Sequence, residues 1–332
     1  MTVAGRTVPP SLSSRPLYLA ESETDMSTNT SKTTRRVTGQ AAQRANLWGW
    51  FFTAPFAVVF VVFLIVPMVY AFYVSLYSYT QVRGTVFTGI SNYARAFKDP
   101  IFLQGMGRVL LYTAVMVPIQ IILALIFALI IDAMRTKFAA GSRLAIFLPY
   151  AVPGVIGALM WGFLYSKDMG PFASIFELFG MQAPAFLSPQ GLFGSLVNVV
   201  TWQWTGYYMV IIYSALQSIP HELYESARID GASELQIALR IKTPMVSSSL
   251  VMATIFALIG TLQFYTEPMV LRNNAQSVIP PEYTPNMYAY TLAFNYNQVN
   301  YSATVSFALG LIVVIISVIF MRITRKQSGL GE

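Results

Sequence analysis

Six long apolar segments constrain what this chain can fold into. Each is about as long as the roughly 20 residues that a helix needs to cross the hydrocarbon core of a bilayer. A helix also satisfies its own backbone hydrogen bonds, which lipid cannot do for it. The pattern therefore predicts an all-α integral membrane protein with six transmembrane helices. The predicted spans are Leu47–Tyr77, Val109–Ile131, Leu144–Ser166, Phe193–Leu216, Val246–Thr266 and Ala303–Met321.

The composition supports the same fold class. Hydrophobic residues make up 55% of the 332 residues and charged residues only 11%, whereas a typical soluble domain has about 25% charged residues. The apolar segments account for this deficit. We therefore predict one membrane domain at residues 47–326, preceded by a disordered cytoplasmic tail at 1–46 and followed by a short cytoplasmic tail at 327–332.

Lysine and arginine predict the orientation in the membrane. Six spans place both termini on one side, and cytoplasmic segments carry the excess of basic residues. The termini and even-numbered loops carry 13 such residues and the odd-numbered loops 6, leaving aside Arg6 and Arg15 in the tail. Both termini are thus predicted to be cytoplasmic. Basic residues next to the membrane that meet anionic lipid explain the net charge of +7, so no nucleic-acid partner is predicted. The 13 are Lys32, Arg35, Arg36, Arg44, Arg135, Lys137, Arg143, Arg228, Arg240, Lys242, Arg322, Arg325 and Lys326, and the 6 are Arg83, Arg95, Lys98, Arg108, Lys167 and Arg272.

The residue inventory excludes several kinds of chemistry. The chain has no cysteine and a single histidine, His221, which excludes disulfides, thiolate catalysis and metal sites built from cysteine or several histidines. No Gly-Lys dipeptide occurs, so the chain has no phosphate-binding loop of the G-x-x-x-x-G-K-[ST] kind. We predict that the chain is not an enzyme and holds no metal, and that any ATP hydrolysis occurs on another chain.

The polar loop between the fourth and fifth predicted spans, residues 217–246, is predicted to form two short helices. Ser218 is a candidate N-cap, and Pro220 suits the first helical position. Gly231 can adopt the left-handed conformation that ends a helix. Ser233 and Gln236 have the spacing of a capping box, which starts a second helix.

The same loop combines charge with small side chains. Glu222 and Glu225 lie in or near the first turn of the first helix, where the helix dipole favours negative charge. Ala227, Gly231 and Ala232 form a small face that permits the close approach of a partner. Pro244 is predicted to break the second helix before the fifth span.

The order of residues in this loop resembles the coupling loop of ATP-binding-cassette importer permeases. In that family a core E-A-A is followed by D-G-A and then by a proline near the next span. Here the matching residues are Glu225-Ser-Ala227, Asp230-Gly-Ala232 and Pro244, with Ser226 in place of the first alanine.

Two further stretches resemble the carbohydrate branch of that family, the maltose- and glycerol-phosphate-type permeases. They are Trp202-Gln-Trp204-Thr-Gly206 and residues 91–102. The resemblance covers about residues 47–322. The chain departs from the branch at Val270–Ala275, where many members have a glycine-rich stretch, and at Arg108-Val109, where an Asn-Thr pair is expected; both departures concern substrate identity.

The resemblance implies a function and a set of partners. It implies a type I importer permease fold with its core at about 104–322, in a bacterial or archaeal cell membrane. This chain and a second permease chain, expected to be different, would form one pathway for a sugar. Two ATPase subunits would hold ATP and magnesium, and an extracellular solute-binding protein would deliver the sugar. The residues implied to couple the permease to the ATPase are Glu225, Ala227, Asp230, Gly231, Ala232 and Pro244.

Polar and aromatic residues inside the spans are candidates for the substrate pathway, because polar groups are costly in lipid and usually face the interior. Aromatic faces and amides suit sugar rings, although hydrogen bonding between helices is an alternative explanation for each residue. The pathway candidates are Gln203, Trp204 and Tyr208 in the fourth span and Gln263, Tyr265 and Glu267 in the fifth, with Asn198 as a further polar residue.

Three alternatives stay open at this stage. An importer permease for a solute other than a sugar would keep a similar loop. A carrier coupled to protons or sodium ions needs ionisable residues at mid-membrane, and the predicted spans contain almost none. A membrane scaffold would need neither the Asp230-Gly231-Ala232 turn nor polar residues in the fourth and fifth spans.

Overall fold

The computed structural model describes residues 49–134, 136–167 and 169–324. The two predicted tails, 1–46 and 327–332, lie outside these residues. Within the described residues, 49–68 and the residues from 69 to 324 belong to two separate contact units. All of the contacts on which the functional site depends lie within the second unit.

The described part of the chain is mostly helical. Its strands β1 (Tyr77–Thr80) and β2 (Gly84–Phe87) pair antiparallel as a hairpin. Short π-helical stretches occur at Val61–Ile65, Ala238–Lys242 and Thr291–Asn295. The helices are α1 (Gly49–Ser75), α2 (Ser91–Ala96), α3 (Pro100–Ala133), α4 (Thr136–Ala151), α5 (Gly154–Leu164), α6 (Pro171–Leu178), α7 (Leu192–Leu216), α8 (Glu222–Ile229), α9 (Glu234–Ile237), α10 (Thr243–Met245), α11 (Ser247–Leu262), α12 (Thr266–Leu271), α13 (Pro285–Tyr290) and α14 (Val299–Ile323).

Within the described residues, four helical segments are long and apolar enough to cross a membrane. They are α1, α3, the segment Ser247–Asn274 that contains α11 and α12, and α14. The bent pair formed by α4 and α5 makes a fifth if it is counted as one span. These five correspond to all of the predicted spans except the fourth, so the total of six stays a prediction.

Helix α7 covers the fourth predicted span and lies within the helix bundle. It has 25 residues, but Asn198, Gln203 and several aromatic rings interrupt its apolar run. It packs against α3, α4 and α11, and Leu196, Met209 and Ile212 on it are fully buried. Because protein covers this helix on several sides, its polar side chains can avoid the hydrocarbon.

The third predicted span is two helices and not one. Phe138–Ala151 and Gly154–Leu164 meet at an angle of 94°, because Pro153 cannot continue a helix and disfavours helical geometry at Val152. The side-chain amide of Gln203 donates a hydrogen bond to the Val152 carbonyl at 3.2 Å. A neighbouring helix thus satisfies a backbone group at the break, as a membrane interior requires.

The end of α1 is fixed by two asparagine side chains. The Asn92 amide donates to the carbonyls of Ser75 (3.0 Å) and Tyr77 (2.9 Å). The Asn300 amide, from α14, donates to the carbonyl of Val74 at 3.0 Å. The last carbonyls of a helix lack intrahelical partners, so these bonds join α2 and α14 to the end of α1.

Asp99 caps the start of α3 and joins it to α13 and α14. Its Oδ1 accepts from the Ile101 amide at 2.9 Å, and its Oδ2 accepts from the hydroxyls of Tyr288 and Tyr301, each at 2.8 Å. Burial opposes ionisation, but these hydrogen bonds outweigh it and hold the pKa of Asp99 below its usual range. The ionised group therefore stabilises the fold above its ordinary pKa of about 3.9, and this contribution is lost as the pH falls through the lowered value.

Two clusters of buried apolar residues form the core of the second unit. The first is rich in aromatic rings: Tyr112 stacks on Phe193 with ring centroids 4.7 Å apart and bonds the hydroxyl of Tyr283 at 2.9 Å. The second connects α3, α7 and α11 to the polar loop through Tyr224 and Ile237. The loop is therefore packed onto the bundle.

Candidate functional site

The first helix of the polar loop begins later than the sequence predicts. The expected N-cap, Ser218, does not cap it, because its hydroxyl donates back to the Ala215 carbonyl at 2.7 Å and so completes the end of α7. Helix α8 begins at Glu222 with His221 in the N-cap position and no side-chain cap. Pro220 consequently precedes the helix and does not occupy its first turn.

The turn after α8 is a glycine-terminated helix end, as predicted. Gly231 has a φ of +82°, a conformation that costs a residue with a Cβ atom about 1–2 kcal/mol. The Ala232 amide donates to the Ala227 carbonyl at 2.9 Å and the Gly231 amide to the Arg228 carbonyl at 3.0 Å. This pair of bonds is a Schellman motif, and it reverses the chain within a few residues.

The predicted capping box then starts α9. The Gln236 amide donates to the Ser233 hydroxyl at 3.3 Å, and the Gln236 side chain accepts from the Ser233 amide at 2.8 Å. Each bond satisfies a backbone donor that the first turn of a helix leaves unpaired. Residues that are close in sequence, on both sides of Gly231, therefore determine the helix-turn-helix of the loop.

Pro244 does not break the loop's second helix in the predicted way. It lies inside α10, after the π-helical stretch Ala238–Lys242, and the interruption before α11 is the single residue Val246. The π-helical stretch ends two residues before Pro244, which has no N–H to donate to the Arg240 carbonyl four positions back. Both the amide and the hydroxyl of Thr243 donate to the Ala238 carbonyl, the hydroxyl at 2.8 Å.

An ion pair that the sequence analysis did not identify bridges the glycine turn. The Arg228 guanidinium donates through Nε to Oε1 of Glu234 at 2.7 Å and through Nη2 to Oε2 at 3.2 Å. These hydrogen bonds hold the pKa of Glu234 below its usual range and raise that of Arg228. The pair stabilises the turn above the ordinary pKa of glutamate, and this effect disappears as the pH falls through the lowered value.

A buried ionic cluster joins the loop to the membrane bundle. The Lys242 ammonium donates to Oδ2 of Asp132, near the end of α3, and lies 4.6 Å from the centroid of the Tyr224 ring. The side-chain amide of Gln217, just after α7, donates to Oδ1 of Asp132 at 2.7 Å. Both charged side chains are more than nine-tenths buried. Four separate segments therefore meet at one ion pair.

The predicted coupling residues divide between an exposed and a packed set. Glu225, Asp230, Gly231 and Pro244 are exposed, whereas Ala227 and Ala232 are half-buried against the second core cluster. The small alanines thus let the loop pack closely on its own bundle. The exposed surface near the turn instead includes apolar side chains, with Ile229 86% and Leu235 68% exposed.

A cavity of about 200 Å³ lies between α7 and the segment that joins α11 to α12. Five of the six predicted pathway residues line it, although they come from two spans. Two of them, Trp204 and Tyr208, stack four residues apart on α7 with nearly parallel rings. The five are Trp204, Tyr208, Gln263, Tyr265 and Glu267.

Gln203, the sixth predicted residue, faces the break between α4 and α5. Its amide nitrogen bonds the Val152 carbonyl, while its Oε1 is buried without a hydrogen-bond partner. Asn198 also makes an interhelical hydrogen bond, donating to the Tyr165 hydroxyl at 2.8 Å. Hydrogen bonding between helices, the alternative explanation for polar residues in spans, therefore accounts for Asn198 and for the amide nitrogen of Gln203. It does not account for the Gln203 amide oxygen.

Gln120 is a cavity residue that the sequence analysis missed. It lies in the middle of α3, is fully buried, and leaves both its amide oxygen and its amide nitrogen without partners among the described residues. A buried amide without hydrogen bonds costs free energy, which favours a ligand or water at this position. The signal in the sequence was a single amide inside an otherwise apolar span.

The cavity lies where the fifth predicted span is interrupted. Helix α11 ends at Leu262 and α12 begins at Thr266. Pro268 explains the gap, because it lacks an N–H and its ring would clash with the carbonyl of Phe264 four positions earlier. The interruption exposes Gln263 and directs Gln263, Tyr265 and Glu267 to the cavity.

Comparisons with known proteins identify the same class of protein, a transport permease, that the sequence pattern predicts. Residues 84–328 match the family described as binding-protein-dependent transport system inner membrane component. The chain is 28% identical over 284 residues to the lactose transport system permease protein LacF of Rhizobium radiobacter, covering 84% of this chain and 94% of that protein. It is also 28% identical over 294 residues to the trehalose/maltose transport system permease protein MalF of Thermococcus litoralis, covering 87% and 97%.

A solved structure has the same fold. It is that of a bacterial alginate ABC transporter in complex with an alginate pentasaccharide-bound periplasmic protein, and one of its chains aligns with a TM-score of 0.75. The alignment covers 86% of this chain and 96% of that chain, at 18% sequence identity. At this identity the likeness establishes the fold of the chain.

Proposed function

Because this chain belongs to the family of binding-protein-dependent transport system inner membrane components, we propose that it is a permease subunit of an ATP-driven sugar importer. It forms half of the translocation pathway and performs no catalysis itself. The observation that carries the proposal is the convergence of Trp204, Tyr208, Gln263, Tyr265 and Glu267 on one cavity.

The chemistry of the cavity suits a sugar. The rings of Trp204 and Tyr208 offer apolar faces to the C–H side of a pyranose, and the amide of Gln263 offers a donor and an acceptor for hydroxyls. Gln120 adds a second amide with both polar atoms unpaired. The names of the relatives LacF and MalF, a lactose and a trehalose/maltose permease, support this substrate class.

A second permease chain completes the pathway. The cavity of about 200 Å³ is smaller than the roughly 300–1,000 Å³ of typical small-molecule sites. A site shared between two chains accounts for the difference. We propose a heterodimer with a different permease, supplied with sugar by an extracellular solute-binding protein.

The polar loop transmits force from the ATPase. In this proposal, α8 and the turn at Gly231 enter a groove of an ATPase subunit, with Glu225, Asp230 and the exposed Ile229 at the contact. Ala227 and Ala232 act on the other side, where they hold the loop against the bundle, whereas the exposed Pro244 lies at the end of the loop, just before α11. Two ATPase subunits bind ATP and magnesium, and their closure rocks the permease bundles between inward and outward access.

The proposed topology has six spans and cytoplasmic termini. The fourth span is α7, whose Trp204 and Tyr208 line the cavity, and the third is the bent pair α4 and α5. The permease core extends over about residues 104–322, with the loop at 217–246 on the cytoplasmic side. Residues 1–46 and 327–332 are proposed to be cytoplasmic tails.

The test of this function is purification of the chain from its native membrane in mild detergent. Wild-type protein is compared with the Glu225→Ala/Gly231→Val double variant, and the bound proteins are identified by mass spectrometry. We expect a second permease and an ATPase to accompany the wild type, and the ATPase to be lost from the variant. A well-folded wild-type chain that retains no ATPase contradicts the importer assignment.

Replacing Gly231 by valine is expected to uncouple ATP hydrolysis from uptake. A Cβ atom at Gly231 meets nothing within 4 Å, so the cost is backbone strain of about 1–2 kcal/mol, and the strain falls on the turn that contacts the ATPase. We expect sugar uptake in proteoliposomes to fall at least tenfold while basal ATPase activity persists.

The matched control is Gly180→Val. Gly180 also has a positive φ, of +67°, and no atom within 4 Å of a built Cβ, but it follows α6, outside the loop. We expect the Gly180→Val variant, although it carries a similar backbone strain, to couple ATP hydrolysis to uptake as well as the wild type does. If Gly231→Val retains wild-type uptake, or if both variants lose coupling equally, the force-transmitting role of the turn is wrong.

A further inference from the structure

A groove of about 540 Å³ lies between α4 and α7, at the end of the bundle that carries the polar loop. Its volume is within the range of roughly 300–1,000 Å³ that small-molecule sites occupy. Arg143 supplies a positive charge to its wall, and the guanidinium carbon lies 5.3 Å from the centroid of the Tyr213 ring, which also lines the groove. This cation–π contact orients the guanidinium.

The groove is polar at one end and apolar at the other. Gln217 lies just after α7, where the polar loop begins, and the long Arg143 side chain reaches Tyr213 about one turn before it. Phe147 and Val210 line the part that is deeper in the bundle. From Val210 to Gln217 the helix rises about 10 Å. A phospholipid has the same order of groups over a similar depth, with a polar head group at the membrane surface and acyl chains beneath it.

The nearby ionic cluster does not neutralise Arg143. Gln217 donates to Asp132, but Asp132 is already paired with Lys242. Arg143 belongs to neither of the two ion pairs found among the described residues. The planar guanidinium can donate two parallel hydrogen bonds to the oxygens of a phosphate, so the polar end of the groove suits a phosphate group.

The groove opens on a different side of α7 from the cavity that Trp204 and Tyr208 line. Successive residues of an α-helix are about 100° apart around its axis, so the groove residues on α7 are centred about 130° from the cavity residues on the same helix. On α4, Leu144 lines the groove and is 66% exposed, and Leu148, one turn further, is 57% exposed. The groove is therefore turned away from the cavity that the second permease is proposed to complete, and it continues into an apolar surface that suits acyl chains.

We infer that this groove binds an anionic phospholipid of the cytoplasmic leaflet, with the phosphate on Arg143 and an acyl chain along Phe147 and Val210. The assignment to this leaflet rests on the topology proposed above. Basic pockets between transmembrane helices on the cytoplasmic side bind acidic lipid head groups, and anionic lipids are concentrated in that leaflet. The bound lipid contacts Gln217, which holds Asp132, and so supports the end of α7 to which the polar loop is attached.

The test uses the purified permease complex in mild detergent. It is titrated with phosphatidylglycerol that carries a photoreactive diazirine in one acyl chain, and peptide mass spectrometry after irradiation identifies the labelled residues. We expect the label on α4 and α7 at the groove. Unlabelled phosphatidylglycerol should displace it about fivefold more effectively than phosphatidylcholine with the same acyl chains, because only the first has a net negative charge.

The variant that isolates the charge is Arg143→Gln, which keeps a long side chain that can donate hydrogen bonds. We expect its affinity for phosphatidylglycerol to fall about fivefold, the effect of one basic residue near anionic head groups, and its affinity for phosphatidylcholine to stay the same. The matched control is Arg322→Gln. Arg322 is an exposed basic residue in the last turn of α14 and does not line the groove, so its loss should leave labelling of the groove unchanged.

Three results would overturn the inference. Equal displacement by the two phospholipids would mean that the groove does not recognise charge. Displacement by glycerol 3-phosphate as effective as that by phosphatidylglycerol would mean that the groove takes a phosphate from solution and needs no acyl chain. A label absent from the groove would mean that something else, such as the second permease, covers it. These comparisons use the wild type, so they decide the matter even if Arg143→Gln does not fold.

The lipid site and the proposed function fail separately. No result of the lipid titration bears on the sugar cavity, because the groove and the cavity lie on different sides of α7. If the groove binds phosphatidylglycerol but labelling of intact cells shows the termini to be extracellular, the lipid site stands and the proposed topology is wrong.

Discussion

Replacing Lys242 by methionine is expected to destabilise the protein by about 3–5 kcal/mol, because it leaves one member of a buried ion pair without its partner. Asp132 would keep only the hydrogen bond from Gln217. The cation–π contact with the Tyr224 ring would be lost as well. Thermal unfolding of the purified permease complex, followed by intrinsic fluorescence, measures the change.

Two matched variants make this test specific. Arg240→Met removes a basic residue from the same π-helical stretch, but Arg240 is exposed, so its effect should stay within about 0.5 kcal/mol. The double variant Lys242→Met/Asp132→Leu removes both charges and should recover most of the lost stability. If Lys242→Met is as stable as Arg240→Met, the pair contributes nothing and the role of the cluster is wrong.

The buried cluster also bears on coupling. The loop can transmit force only if it moves together with the helices, and Asp132–Lys242 joins α3 to the start of the fifth span directly. Tyr224 brings α8 to the same point. We therefore expect Lys242→Met complexes that remain folded to show reduced coupling of ATP hydrolysis to uptake.

The contrast between the turn and the cluster shows what the sequence could predict. The glycine turn and the capping box depend on residues within three to five positions of each other, so the sequence predicts both. The ion pair joins residues 110 positions apart, and no local pattern pairs one aspartate with one lysine at that distance. Ser218 failed as a predicted cap for a related reason, since its hydroxyl is already used by the end of α7.

The cavity was predictable in composition but not in shape. Polar residues in apolar spans identified five of its lining residues, because such groups avoid lipid. Gln120 was missed because a lone amide gives no pattern to interpret. The interruptions at Pro153 and Pro268 were also missed, because proline in a membrane helix can be accommodated by a slight kink or by a full break, and neighbouring helices decide which.

Gly206→Ala is expected to be the most damaging single-methyl change in the bundle. Helix α7 crosses α4 at this residue, and a Cβ built there lies 2.9 Å from both the Ile146 carbonyl carbon and the Phe147 Cα, with the Ile146 oxygen closer still. All three atoms belong to backbone and cannot rotate away, so the helices must separate. We expect a loss of about 3 kcal/mol, the upper end for overpacking.

The control lies on the same helix. A Cβ at Gly194 meets nothing within 4 Å, and alanine is favoured over glycine inside a helix by about 1 kcal/mol, so Gly194→Ala should be neutral or slightly stabilising. Because Gly206 lies two residues after Trp204, separation of α4 and α7 also displaces the aromatic wall of the cavity. We therefore expect Gly206→Ala to lose both thermal stability and sugar affinity, measured on the same purified complex. Wild-type stability in Gly206→Ala would mean that α4 and α7 pack less closely in the assembled transporter, and that the wall at Trp204 is free to move during transport.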